Sequence, residues 1–173
     1  MKENKDLLLK GAMSYGLIMG IFWVIKYIFL ILSYSYSAFI FIHQVLSFAV
    51  PFIAYRMTMH YKRAIGGKIR FFHAWQFGVL LYFFAALIVS VEHYIFYQFI
   101  APPDFLANAM ELAIVALKET QIDSEVINAI RQTNFTPIRM TIQGIFNNIF
   151  YGVILSVPVA ILVCRKQTTI TAK

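Results

Sequence analysis

Four long apolar runs, at about 7–32, 38–59, 71–100 and 140–164, limit this chain more than any other feature. Crossing a bilayer core takes roughly 20 apolar residues as a helix, and each run is long enough. Backbone N–H and C=O groups find no water in hydrocarbon, so a spanning segment is a helix or part of a closed barrel. None of the runs alternates apolar and polar residues, which excludes the barrel. The pattern predicts an all-α protein: a four-transmembrane-helix bundle forming a single integral membrane domain over residues 1–173. Composition points the same way. Only 13% of residues are charged and 60% are hydrophobic, against about 25% charged in soluble domains. A soluble enzyme and a disordered chain are both excluded. The first run begins among Lys2, Lys5 and Lys10, as a secretory signal does. It is longer than the roughly 7–15 apolar residues of such a signal, so it reads as a retained helix.

Charge sets the expected orientation, because Lys and Arg collect on the cytoplasmic side. The segment after the second run holds Arg56, Lys62, Arg63, Lys68 and Arg70 and no acid. That segment is expected inside. Both termini then lie inside as well, with Lys2, Lys5 and Lys10 at one and Arg165, Lys166 and Lys173 at the other. Asp104, Glu111, Glu119, Asp123 and Glu125 fall outside. The net charge of +7 is therefore read as topology and not as a nucleic-acid surface. Arg56, Lys62, Arg63, Lys68, Arg70 and Trp75 are expected to anchor at lipid headgroups, with the bilayer as partner.

Between the third and fourth runs lies an insert, 101–139. Ala101-Pro102-Pro103 ends the third helix, and Asp104 stands where an N-cap is wanted. Phe105, Leu106, Ala109, Met110, Ala113, Ile114 and Leu117 recur at helical spacing. Asp123 or Ser124 can cap a second short helix with Val126, Ile127 and Ile130 on one side. Thr136-Pro137 breaks before the fourth span. The expectation is a short amphipathic helical insert at the bundle mouth or in the outer interface.

Small residues mark packing seams. Ala12, Gly16 and Gly20 recur every four residues, as do Gly144, Asn148, Gly152, Ser156 and Ala160. Such seams let membrane helices approach closely. Within one chain they build the bundle; between chains they hold a homo-oligomer or a membrane-protein partner. Pro51 and Pro158 are expected to kink the second and fourth helices. Polar residues inside spans are costly and mark function. At a rise of about 1.5 Å per residue, Lys26, His43, Glu92, His93, Gln143, Asn147 and Asn148 all fall in the outer half. They are read as an intramembrane polar cluster, either a structural one or a ligand or proton site, in which Lys26 and Glu92 pair or Lys26 snorkels outward with Glu92 near the interface, while the inner half reads as almost entirely apolar.

Other chemistry is not indicated. Gly66-Gly67-Lys68 lacks the spacing of a phosphate loop and reads as a turn. The lone Cys164 excludes a disulfide framework and a Cys-based zinc site. Serines have no triad partners. No cofactor, metal or catalytic residue is expected.

Two longer stretches, Arg63-Ala-Ile-Gly-Gly-Lys-Ile-Arg-Phe-Phe-His-Ala-Trp75 and Glu92-His-Tyr-Ile-Phe-Tyr-Gln-Phe-Ile-Ala-Pro-Pro-Asp-Phe105, carry a resemblance. With four spans and a helical outer insert, the chain resembles domain-of-unknown-function family 4199, a membrane family of the Bacteroidota. The resemblance implies a bacterial inner-membrane location and, through neighbouring membrane glycosyltransferases, a role in envelope biogenesis; it implies no activity. The reading is a small non-enzymatic accessory or assembly subunit. The alternative is a proton-coupled transporter or channel working through Lys26 and Glu92. A membrane enzyme acting on a lipid-linked substrate is a third.

Overall fold

Each apolar run becomes a helix. In the computed structural model, which describes residues 5–120, 123–132 and 136–166, α1 is Lys5–Leu32, α2 Phe39–Ala64 and α3 Phe71–Ile95. A π-helical turn, Phe96–Ile100, continues α3; α4 is Phe105–Glu119, α5 Ser124–Gln132 and α6 Pro137–Arg165. No strand occurs among the described residues. Four of these helices are long and apolar enough to cross a membrane: α1, α2, α3 with its π turn, and α6. Lys2 and Lys173, used in the charge argument, lie outside the described residues.

The helix ends follow local chemistry. The second helix runs to Ala64, five residues beyond the Met59 expected from hydropathy. Charge at Lys62 and Arg63 lowers hydropathy without breaking a helix. Its end is a Schellman motif: the Gly67 N–H donates to the Lys62 carbonyl at 2.9 Å and the Gly66 N–H to that of Arg63 at 3.2 Å. Gly66 and Gly67 adopt φ of 98° and 78°, which other residues rarely do. Ala101 is extended, as a residue before proline must be, and this ends the π turn. Asp104 occupies the N-cap of α4, but its side chain makes no capping bond. At α5 the Asp123 carboxylate accepts from the Glu125 N–H at 3.1 Å. Thr136 and Pro137 begin α6 instead of breaking before it: the Thr136 hydroxyl accepts from the Arg139 N–H, and proline takes the first helical position.

The chain divides into two compact units, 1–89 with 145–173, and 90–144. In the first unit α3 is the central element, with 44% of its most apolar window buried against 11% for α2. Small residues put it there. A Cβ at Gly16 would stand 2.5 Å from the Phe84 Cβ, and one at Gly20 would stand 2.6 Å from the Ile88 Cβ, so α1 lies directly on α3. On the other side Gly152 of α6 faces Tyr82, and Gly78 of α3 faces Ser156. The seams at Gly16, Gly20 and Gly152 are thus used inside the chain. Met19, Trp23, Val50, Ala54, Leu81, Tyr82 and Ala85 fill the centre of this unit. In the second unit Phe96, Ile114 and Ile127 are buried, with Phe105 edge-on to Phe96 at 5.2 Å. Val126 is 48% exposed, so only Ile127 and Ile130 of the expected α5 face turn inward.

Candidate functional site

The intramembrane polar residues are shared between the two units. Lys26, His43, Asn147 and Asn148 belong to the first unit; Glu92, His93 and Gln143 belong to the second.

In the first unit Lys26 is 8% exposed. Its ammonium lies 4.6 Å from the Tyr27 ring centroid and 5.5 Å from that of Trp23. The negative faces of aromatic rings offset the cost of a desolvated cation, a compensation the sequence reading overlooked although both rings flank Lys26. Tyr27 also meets the His43 ring edge-on at 5.6 Å, bringing Lys26 and His43 into one neighbourhood. His43 is further held by Ser47, whose hydroxyl lies 3.5 Å from Nε2 and donates to the His43 carbonyl at 2.8 Å. Trp23 Nε1, His43 Nδ1 and the Tyr82 hydroxyl are buried without a hydrogen-bond partner among the described residues. Trp23 and Tyr82 pack ring to ring at 5.6 Å within the buried cluster of this unit.

In the second unit both Glu92 carboxyl oxygens are buried without a hydrogen-bond partner among the described residues. His93 approaches Tyr97, and its Nδ1 stands 3.5 Å from where a Gly144 Cβ would be, an ordinary contact. The π turn begins four residues after Glu92; such turns recur at functional sites.

Helix α6 presents two different faces. Gly152, Ser156 and Ala160 turn inward, with Asn148 half-buried above them. Gln143, Asn147 and Tyr151, at four-residue spacing, are exposed, as are Phe146 and Phe150. Asn147 lies about 15 Å along the helix from Pro137 at the rise of an α-helix.

The opposite end of the first unit holds polar groups that hydropathy had not indicated. Lys62 is 3% exposed, and its ammonium donates to the carbonyls of Val163 at 2.8 Å and Lys166 at 2.7 Å, closing the end of α6. The lysine expected at headgroups is therefore committed to the protein. Tyr61 Oη and His73 Nε2 are 2.7 Å apart and buried, with Tyr61 stacked on Phe77 at 4.1 Å. Trp75 is half-buried, and its Nε1–H donates to the Val153 carbonyl at 3.1 Å. Arg56, Arg63, Lys68 and Arg70 are exposed. Thr58, Lys62, His73 and Ser156 are buried polar residues of this unit. Among the described residues no group of three or more His, Cys, Asp or Glu side chains could hold a metal ion.

No curated protein and no solved structure matches the chain. A family model described as "Protein of unknown function (DUF4199)" matches residues 14–165. The motif-bearing stretches 63–75 and 92–105 both lie inside that match, and the chain belongs to this family.

Proposed function

We propose that the protein is a non-enzymatic accessory or assembly subunit of the bacterial inner membrane, with both termini cytoplasmic and a place in envelope biogenesis. The exposed face of α6 carries this reading. Gln143 and Asn147 are exposed amide side chains on a span, and Asn147 lies between the exposed Phe146 and Phe150. An amide facing hydrocarbon is costly, and transmembrane helices satisfy such groups by hydrogen bonding across to another helix. The packed apolar cluster around Trp23 and Tyr82 supports the same view. The partner is a second copy of this chain or another membrane protein that meets α6 with polar groups.

Cross-linking tests it. In a Cys164→Ala background, Asn147→Cys in native membranes is expected to give a defined cross-linked species with a bifunctional thiol reagent. Phe52→Cys, on the α2 face, is expected to give none. Asn147→Leu is expected to abolish the complex seen in gentle detergent while leaving the monomer folded. Recovery of monomer alone, with Asn147→Cys uncross-linked, sinks the proposal.

One observation favours proton-coupled transport as the second reading: Glu92 is a buried carboxyl inside a span with no hydrogen-bond partner among the described residues. In proteoliposomes this reading requires a proton flux that Glu92→Gln removes; a flux unchanged by that substitution, or no flux, eliminates it.

A further inference from the structure

A lateral groove of about 560 Å³ opens in the first unit between α2 and α6. It falls in the roughly 300–1,000 Å³ range of small-molecule sites. Proline shapes it from both sides. Pro51 lies inside α2 and Pro158 inside α6, and both line the groove. Each removes an intrahelical hydrogen bond and crowds the carbonyl one turn back. The walls are otherwise apolar, and Phe52 and Leu162 are 71% and 58% exposed.

The groove is polar at one end. Arg165 and Lys166 line it where α6 finishes, and both side chains are exposed. Among the described residues no acidic residue lines it. Lys62 lies beneath and grips the carbonyls of Val163 and Lys166, so the backbone carrying the two cations is held in place. An apolar slot with two fixed cations at its mouth, on helices built to cross a bilayer, has the charge and shape of an acidic phospholipid turned inside out.

We infer that this groove binds one acidic phospholipid, its acyl chain between Pro51 and Pro158 and its phosphate on Arg165 and Lys166. Guanidinium matches phosphate oxygens in pairs, and Lys adds a second charge. The expected charge orientation places this lipid in the cytoplasmic leaflet. The inference does not depend on the α6 partner face, which lies nearer the other end of that helix.

Native mass spectrometry of the full chain, with phosphatidylglycerol or phosphatidylcholine added to the detergent, tests it. The parent protein is expected to retain phosphatidylglycerol in preference. Arg165→Gln with Lys166→Gln is expected to weaken that retention roughly 30-fold, at about a kcal/mol per basic residue near the membrane surface. Leu162→Trp keeps both charges but fills the slot, and is also expected to lose the adduct. All three positions are exposed, so the variants are expected to fold, checked by unchanged elution and circular dichroism. A photoreactive benzoylphenylalanine at Phe52 supplies an independent arm and is expected to capture lipid. Equal retention of the two lipids overturns the inference. So does retention by Leu162→Trp at the parent level, which would reduce the effect to surface charge, or capture at Phe52 of protein instead of lipid.

Discussion

Gly16→Leu is expected to separate α1 from α3 and to lower stability by about 3 kcal/mol, the upper end of the usual cost of overpacking. The reason is what a side chain would meet. A Cβ at Gly16 stands 2.5 Å from the Phe84 Cβ, 3.2 Å from the Leu81 carbonyl oxygen and 3.5 Å from the Phe84 Cα. These atoms belong to the backbone or stand next to it, so no rotamer change relieves the clash. Gly20 repeats the contact one turn on against Ile88, so a shift that accommodates Leu at one position also disturbs the other. In hydrocarbon the association of helices rests on such close van der Waals contact, because no water is released to drive it. Gly144→Ala is the control: its Cβ meets only the His93 ring, at an ordinary 3.5 Å. Thermal unfolding in detergent should show a clearly lower midpoint for Gly16→Leu and almost none of that loss for Gly144→Ala. Equal midpoints for the two variants would mean that α1 does not sit on α3 at this distance.

The spans were legible in the sequence because hydrocarbon imposes one severe demand, a long apolar helix, and residues that meet it are hard to mistake. What hydropathy could not place was anything depending on direction around a helix or on contact between distant segments. Rise along the axis gave the heights of Lys26, Glu92 and Asn147, but height says nothing about which way a side chain points. Gln143 and Asn147 face outward, while Asn148, beside them, turns partly in. The compensation of Lys26 by Trp23 and Tyr27 was within reach, since both rings lie within one turn of it. The small-residue seams were legible as seams. Their partners were not, because a glycine records only that something comes close. Gly16, Gly20 and Gly152 all turn out to serve α3. Lys62 was the least legible. A lysine at the foot of a span usually reaches for headgroups, and here its partners lie 101 and 104 residues away.

Lys62→Met isolates that contact. An α-helix leaves its last four carbonyls without intrahelical donors. At the end of α6 the Lys62 ammonium takes two carbonyls of this region, those of Val163 and Lys166. It also brings positive charge to the negative end of the helix dipole. Methionine keeps the stem and its packing and removes only the charge and the donors. Escape from the cost of burying an ammonium works in favour of the variant, but the two carbonyls stay behind. Removing one partner of a buried hydrogen bond costs more than removing both, about 1.5–3 kcal/mol where a charge is involved. The net expectation is a loss of about 2 kcal/mol, confined to one end of one helix. Hydrogen exchange separates this from general weakening. Amides near 162–166 are expected to exchange faster in Lys62→Met, while those near 146–150 on the same helix keep the parent rate. Uniform acceleration along α6 would assign Lys62 to the bundle as a whole. Unchanged exchange at both ends would show that water serves these carbonyls as well as the lysine does.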